Sequence, residues 1–377
     1  MEKIKVLHVF KSYFPETVGG IEQVIYQLAQ AGNKHNIQSD ILTLHEGKTQ
    51  TFRFNKQIVF AVHRDLQLAS TGFSIQAFAV FKRIINKYDI IHYHYPWPFG
   101  DLLHLFLGRN KPSILTYHSD IVRQQALEKV YRPVQQRFLR SMDRIVVTSP
   151  NYLRSSSTLV PFHDKTAVIP IGLNKDSYPA PPLQKLKQRK EQFGEDFFLF
   201  VGVLRYYKGL HILLDAIKGT NLKVVIAGSG PTEQELKEEA REYNLDNVFF
   251  VGHISEEDKA ALLTLCKAVV FPSHLRSEAF GISLLEGAMY GKPMISCEIG
   301  TGTTFINEAN VTGIVVPPSD PNALRQAMQR LISDEAGCAR MGESAFNRYE
   351  KLFTDKAMLS GYEKIYRELT QHKPSHT

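Results

Sequence analysis

The sequence predicts an α/β protein of two doubly wound domains, and three observations carry that expectation. Its 377 residues suit two domains of ordinary size, at roughly 150 residues each. Short, continuously apolar segments alternate with helical ones, the mark of a parallel sheet covered on both faces. The alternation breaks once near the middle of the chain and then restarts.

In the first half, residues 4–10 read as the opening strand, followed by a loop from Lys11 to Gly20 and a helix over 21–31. Further strands read at 39–44, 58–62, 90–94, 113–118, 144–149 and 166–169. Pro170-Ile171-Gly172, then Pro179-Ala180-Pro181-Pro182 and the basic run 185–190, mark the break and the candidate linker. The second half reads as strands at 197–201, 223–227, 248–251, 268–271 and 293–297. Helices fill the gaps at 211–218, 232–243, 256–265, 282–290 and 322–333. A last helix covers 354–371, and the tail 372–377 is expected to lack order. The expected domains are therefore 1–175 and 176–353, with 354–377 as a terminal helix. Ligands of such open sheets bind beyond the carboxyl ends of the strands, and two of them facing each other would form a cleft.

Hydrophobic residues at 43% and charged residues at 22% exclude a disordered or fibrous chain. No run approaches the ~18 apolar residues that a membrane helix needs. The opening Lys3-Ile4-Lys5-Val6-Leu7-His8-Val9-Phe10 lacks the apolar region of a signal peptide. Cys266, Cys297 and Cys338 are widely spaced and form neither a disulfide framework nor a metal knuckle. The expected location is the cytoplasm. A net charge of +7 and a pI of about 9.1 favour anionic partners: phosphate ligands, nucleic acid or an anionic membrane face.

The most informative stretch is Ser277-Glu278-Ala279-Phe280-Gly281-Ile282-Ser283-Leu284-Leu285-Glu286-Gly287-Ala288. Ile282, Leu285 and Met289 share one helical face, so Glu278 precedes a helix and Glu286 lies a turn inside it. A helix start suits a phosphate, and flanking carboxylates suit hydroxyl groups. Gly202-Val203-Leu204-Arg205-Tyr206-Tyr207-Lys208-Gly209 follows the first strand of the second half, where two cations fit a diphosphate. Val18-Gly19-Gly20-Ile21-Glu22 follows the first strand of the chain, and paired glycines let backbone N–H groups approach a ligand. It lacks the third glycine of a dinucleotide fingerprint, as does Gly228-Ser229-Gly230-Pro231-Thr232-Glu233.

His118 ends an apolar strand and either binds sugar hydroxyls or caps the next element. His92 and His94 have the spacing of a metal pair, but without a third convergent ligand packing is favoured. The basic amphipathic segment 123–144 reads as a helix on its own sheet, with an anionic membrane as the other reading. Asp-x-Asp does not occur, which disfavours a metal-chelating carboxylate pair.

In order along the chain, these segments resemble glycosyltransferase family 4, retaining enzymes of the GT-B fold with two Rossmann-like domains. The matching set is the Gly19-Gly20 loop, His118, the loop 201–209, Gly228-Ser229-Gly230-Pro231, Phe250-Val251-Gly252-His253-Ile254, the Glu278–Glu286 motif, and Gly313-Ile314-Val315-Val316-Pro317-Pro318 with Asp320-Pro321. The style of Lys11-Ser12-Tyr13-Phe14-Pro15 with Gly19-Gly20-Ile21-Glu22 is similar to bacterial O-antigen and surface-polysaccharide mannosyltransferases.

The resemblance implies that Gly19 and Gly20 approach the donor diphosphate from the first domain, while Arg205 and Lys208 neutralise it from the second. It implies that Glu278 holds donor-sugar hydroxyls, helped by backbone at Phe280, Gly281 and Ile282. Glu286 holds the ribose, His253 and Ile254 border the base, and His118 contacts the sugar. His118, Lys208 and Glu278 are the implied catalytic residues. One departure stands out: where the family often has arginine after the loop's first glycine, this chain has Val203, and its arginine is Arg205. The implied reaction transfers a hexose with retention, first from GDP-mannose and second from a UDP-sugar, to a lipid-linked or lipopolysaccharide glycan. No cofactor, metal or nucleic acid is implied, and a peripheral contact with the inner face of the membrane is. A sugar-nucleotide epimerase or a non-catalytic binding partner is the rival reading, and the last helix is expected to cross back to the first domain.

Overall fold

The computed structural model describes residues 3–17, 19–68, 71–121 and 125–371, with backbone alone over 125–129. Val18 of the glycine loop, Arg123 of the basic segment and the tail 372–377 lie outside the described residues. The chain forms two compact units, Met1–Gly172 with Asp355–Thr377, and Leu173–Thr354. Both are doubly wound, Rossmann-like α/β units, as the sequence predicts.

The first unit contains β1 (Ile4–Val9), β2 (Ile37–His45), β3 (Gln50–Phe54), β4 (Gln57–His63), β5 (Leu66–Leu68), β6 (Thr71–Phe73), β7 (Ile90–Tyr95), β8 (Ser113–Tyr117), β9 (Arg144–Val147) and β10 (Thr166–Val168). β5 and β6 pair only with each other, and the rest form one sheet in the order β10-β9-β8-β7-β1-β2-β4-β3. β1 is the switch point, with β2 and β4 wound to one side and β7 to β10 to the other. The sequence reading has no strand over 50–54, where polar residues mask the pattern. In the structure β3 runs antiparallel to β4 across a turn in which Asn55 takes φ 52°, a left-handed conformation that asparagine tolerates. Phe52 and Phe54 then pack on the cluster of Phe10, Tyr13, Ile25 and Ile41. The helix Asp355–Gln371 belongs to this unit and buries Tyr362 and Tyr366.

The second unit contains β11 (Phe197–Val201), β12 (Lys223–Ala227), β13 (Val248–Gly252), β14 (Ala268–Phe271), β15 (Met294–Cys297) and β16 (Gly313–Val316). They form a parallel sheet in the order β13-β12-β11-β14-β15-β16. The chain winds outward from β11 in one direction and from β14 in the other. The carboxyl ends of β11 and β14 are therefore the crevice where such sheets bind ligands.

Two segments differ from the sequence reading. The basic run given to a linker is part of a helix, Leu183–Phe193. Lys185 and Arg189, one turn apart, both reach the buried Asp258 carboxylate, at 2.9 and 3.0 Å. That anchor holds the helix against Glu256–Leu265 and gives the run a packing role. The helix Glu335–Leu352 is absent from the reading; Asp334 caps it by accepting the Gly337 N–H at 2.8 Å. Among the described residues no helix is long and apolar enough to cross a membrane. The three cysteines are free and buried.

Candidate active site

In the second unit, the loops leaving β11 and β14 meet over the switch point. Gly209, in the left-handed region at φ 70°, lets them touch: a Cβ there would lie 2.1 Å from the Pro272 carbonyl oxygen. That approach brings Lys208, from the first loop, onto Glu278, from the second, as a buried ion pair between Nζ and Oε2. Ser273 Oγ donates to the same oxygen at 3.3 Å, and Lys208 Nζ lies 4.7 Å from the Phe271 ring centre. Glu278 Oε1 has no protein partner among the described residues. A buried charge pair seldom adds much to stability, so its place at a ligand-binding crevice is better explained by chemistry.

The helix Ile282–Met289 begins beside this pair. Gly281 precedes it at φ 101°, a conformation that favours glycine, and Ser283 Oγ donates to the Val201 carbonyl at 2.7 Å. The helix start is thus tied to the end of β11, with Phe280, Gly281 and Ile282 as its entry. Glu286, in the second turn, is buried. Its Oε1 accepts from the Tyr178 hydroxyl at 3.0 Å and Lys259 Nζ at 2.9 Å. Lys259 also pairs with Glu256 at 2.8 Å. Burial alone would lower the pKa of Lys259, but Glu286 and Glu256 beside it raise it above the usual lysine value. Burial, then Glu286, pushes the Tyr178 phenol up as well. Oε2 of Glu286 again has no protein partner among the described residues. Both glutamates thus use one carboxylate oxygen for anchoring and keep the other open.

Other expected donor residues of this unit do not join the cluster. Arg205 and His253 are exposed, and His253 and Ile254 follow β13, at the far edge of the sheet. Gly228 and Gly230 prove to be packing positions. A Cβ at Gly228 would lie 2.0 Å from the Gly202 carbonyl oxygen, and one at Gly230 2.4 Å from that of Leu204.

In the first unit, Gly19 and Gly20 open the helix Gly20–Gly32 at the carboxyl end of β1. Glu22 folds back over this turn, accepting from Ser12 Oγ at 2.8 Å and Thr17 Oγ1 at 3.1 Å, and a Cβ at Gly19 would lie 2.5 Å from its Oε2. His118 stands just past β8, with its Nε2 3.1 Å from Nδ1 of His94. His94 in turn meets His8, and His92 bonds Tyr366 and Thr116, each at 2.7 Å. Burial pushes the pKa of His8 and His118 down to about 3 and those of His92 and His94 well below the usual value, so all four are neutral near pH 7. His8, His92 and His94 are the one trio of metal-binding side chains grouped closely among the described residues. Their six ring nitrogens all have hydrogen-bond partners, however, and the rings stack instead of converging. Packing, which the sequence favours for His92 and His94, describes this trio.

Sequence reasoning missed Tyr178, Lys259, Ser273, His8 and Ser39. No local motif marks them, because each meets its partner only through the fold. His8 alone carried a signal, an imidazole among the apolar residues Val6, Leu7 and Val9 of β1.

Two family models together span most of the chain: "Glycosyltransferase Family 4" over residues 18–177 and "Glycosyl transferases group 1" over 184–348. The chain is 54% identical over 352 residues to the D-rhamnosyltransferase WbpZ of Pseudomonas aeruginosa, covering 93% of this chain and 92% of that protein. It is 49% identical over 371 residues to the O-antigen chain mannosyltransferase C of Escherichia coli, covering 98% and 100%. Among solved structures, sucrose-phosphate synthase from Thermosynechococcus elongatus matches with a TM-score of 0.81 at 23% identity, covering 98% of this chain and 100% of that one. Anabaena HepE in complex with UDP and glucose matches at 0.78 and 17%, covering 97% and 99%. At those identities the structural likeness speaks for the fold alone.

Proposed function

The chain belongs to the family 4, group 1 glycosyltransferases, and from that premise we propose that it moves mannose from GDP-mannose to a lipid-linked or lipopolysaccharide glycan. The transfer keeps the anomeric configuration and uses no metal. The observation that carries this reading is the pair of half-anchored carboxylates, Glu278 and Glu286, around a helix start with Lys208 beside it. A nucleoside-diphosphate sugar offers hydroxyls at both ends and two negative phosphates between them, and this cluster is complementary to all three parts.

In this reading Glu278 Oε1 accepts hydrogen bonds from the donor sugar and Glu286 Oε2 from the ribose. An ammonium has three N–H donors; Lys208 gives one to Glu278 and turns others to the diphosphate, with the exposed Arg205 of the same loop as a second cation. Phe280, Gly281 and Ile282 add helix-start N–H groups, and His253 and Ile254 border the base; in the first unit, Gly19 and Gly20 open a helix start suited to a phosphate. The acceptor oxygen attacks the anomeric carbon on the face the diphosphate leaves. The carbon–phosphate-oxygen bond breaks, and the departing oxygen takes the acceptor proton. Fixed cations and N–H groups facing the growing phosphate charge are the kind of term that dominates such catalysis. In the first unit, His118 is the residue suited to contact a sugar hydroxyl.

The 54% identical relative favours a second reading of the sugar, a D-rhamnosyl residue on the same diphosphate; a UDP-sugar is a third. Incubating the purified chain with GDP-mannose, a nucleoside-diphosphate D-rhamnose and UDP-sugars separates them by which one is consumed. Consumption of none would sink the proposal, and a product of inverted anomeric configuration would remove the retaining mechanism.

A glycolipid acceptor also needs the protein at a membrane face. Helix Gln125–Ser141 buries Gln135, Phe138 and Leu139 against its own unit and exposes Arg132, Arg137, Arg140 and Val130. Exposed cations on such a helix are worth ~1 kcal/mol each at an anionic surface. Binding to anionic liposomes at low salt, lost at high salt, is the expected result; no binding at low salt would contradict it.

A further inference from the structure

The histidines of the first unit form a graded row across the sheet. Ser39 pairs in register with Val6, and His8 lies two residues further along β1. His8 pairs with His92, and His94 lies two residues further along β7. His94 pairs with Thr116, and His118 lies two residues further along the chain of β8. Side chains two apart share a face, so Ser39, His8, His94 and His118 climb one face toward the carboxyl end. The contacts along this diagonal are Ser39 Oγ to His8 Nε2 at 3.1 Å, His8 Nδ1 to His94 Nε2 at 3.0 Å, and His94 Nδ1 to His118 Nε2 at 3.1 Å.

A neutral imidazole has one donor and one acceptor nitrogen, and burial keeps these rings neutral. A row of such rings must therefore point its protons all one way. The end that can choose is Ser39. It is 2% exposed, and His8 Nε2 is the one acceptor within reach of its hydroxyl among the described residues. A buried hydroxyl without an acceptor costs about 1–3 kcal/mol, so Ser39 donates. His8 then carries its proton on Nδ1 and donates to His94, and His94 does the same to His118. His118 accepts at Nε2 and must hold its own proton on Nδ1. That nitrogen has no protein partner among the described residues.

We propose that Ser39, His8 and His94 are positioning residues that lock His118 in the Nδ1–H form, so that it presents a hydrogen-bond donor to an oxygen of the bound substrate. The substrate part of this inference rests on the transferase reading above; the tautomer part does not. A locked donor selects a ligand oxygen with a free lone pair and rejects an N–H or a carbon at that position, a specificity the free imidazole would not have.

The test starts on the unliganded full chain with nitrogen-15-labelled histidine. Two-bond proton–nitrogen correlations tell a protonated ring nitrogen from a bare one, and His118→Gln assigns the signals. Nδ1 protonation in His8, His94 and His118 is expected; protonation of His118 on Nε2 overturns the proposal. Ser39→Thr and Ser39→Val are then compared, since the two side chains have the same shape and differ in the hydroxyl. The valine variant is expected to give a mixed His118 tautomer and a kcat/KM lower by about three- to tenfold than the threonine variant, the worth of one neutral hydrogen bond. Equal tautomer populations in the two variants overturn the chain. A tautomer change without a rate change upholds the chain and removes the contact of His118 with the substrate.

Discussion

Lowering the pH is expected to unfold the first unit well before the carboxylates are all protonated. His8, His92, His94, His104 and His118 are buried, and burial holds them neutral, with His8, His104 and His118 at about 3. In the unfolded chain each titrates near 6.5. Below 6.5 the unfolded state therefore binds five protons that the folded state refuses. Stability from these groups is complete above 6.5 and falls as pH drops. Asp101 works the other way over part of this range, because burial raises its carboxyl well above its usual value and the folded state takes that proton first. Five protons against one leave a net four, and at about 1.4 kcal/mol per proton per pH unit the loss approaches about 5.5 kcal/mol per unit. Two units below 6.5 remove about 11 kcal/mol, comparable to the ~5–15 kcal/mol a domain has. The assay is built in. Trp97 is the one tryptophan, it is 1% exposed in the first unit, and its Nε1 donates to the Gly72 carbonyl at 3.2 Å. Its emission should shift to the red in a steep transition between about pH 5.5 and 4. Unchanged Trp97 emission down to pH 4 would refute the reasoning, because neutral buried imidazoles could not then be costing what the linkage requires.

Other expectations follow from the second unit. Lys208→Met should lower kcat by about 10²- to 10³-fold and, by stranding the buried Glu278, destabilise the unit by roughly 3–5 kcal/mol. Glu278→Gln keeps the shape and should lose transfer with a smaller stability cost; transfer assays and urea midpoints on both variants separate the two effects, and unchanged kcat in either removes the pair from the mechanism. Gly209→Ala places a Cβ against the Pro272 carbonyl at a positive φ. It should cost more than about 1 kcal/mol, and a wild-type urea midpoint would contradict the close loop approach.

The fold was legible because both sheets are parallel apart from the edge strand β3, so their strands appear as unbroken apolar runs such as Phe197–Val201. The edge strand Gln50–Phe54 was not, since a half-exposed strand mixes polar residues into the pattern. Of the candidate site, Lys208, Glu278 and Glu286 were legible because their chemistry lies in short local motifs. Their anchors were not: Lys259 meets Glu286 across 27 positions, and Tyr178 meets it across 108. The glycines of Gly228-Ser229-Gly230 were legible only as a segment that fails the dinucleotide fingerprint; in the fold they serve the contact between two backbones. The basic run in helix Leu183–Phe193 read as a linker, because its partner Asp258 is about seventy residues away.

In the proposed function, the crevice holding Lys208, Glu278 and Glu286 binds a nucleoside-diphosphate sugar. Thermal unfolding of the wild-type chain, Lys208→Met and Glu286→Gln with a panel of nucleotides and nucleotide sugars tests it most directly. At 100 times its dissociation constant a ligand stabilises by ~2.7 kcal/mol, a rise of roughly 5–10 °C for a unit of this size. GDP-mannose is expected to give that rise in the wild type and little of it in either variant. No rise with any nucleotide sugar, or the same rise in all three proteins, would contradict the account.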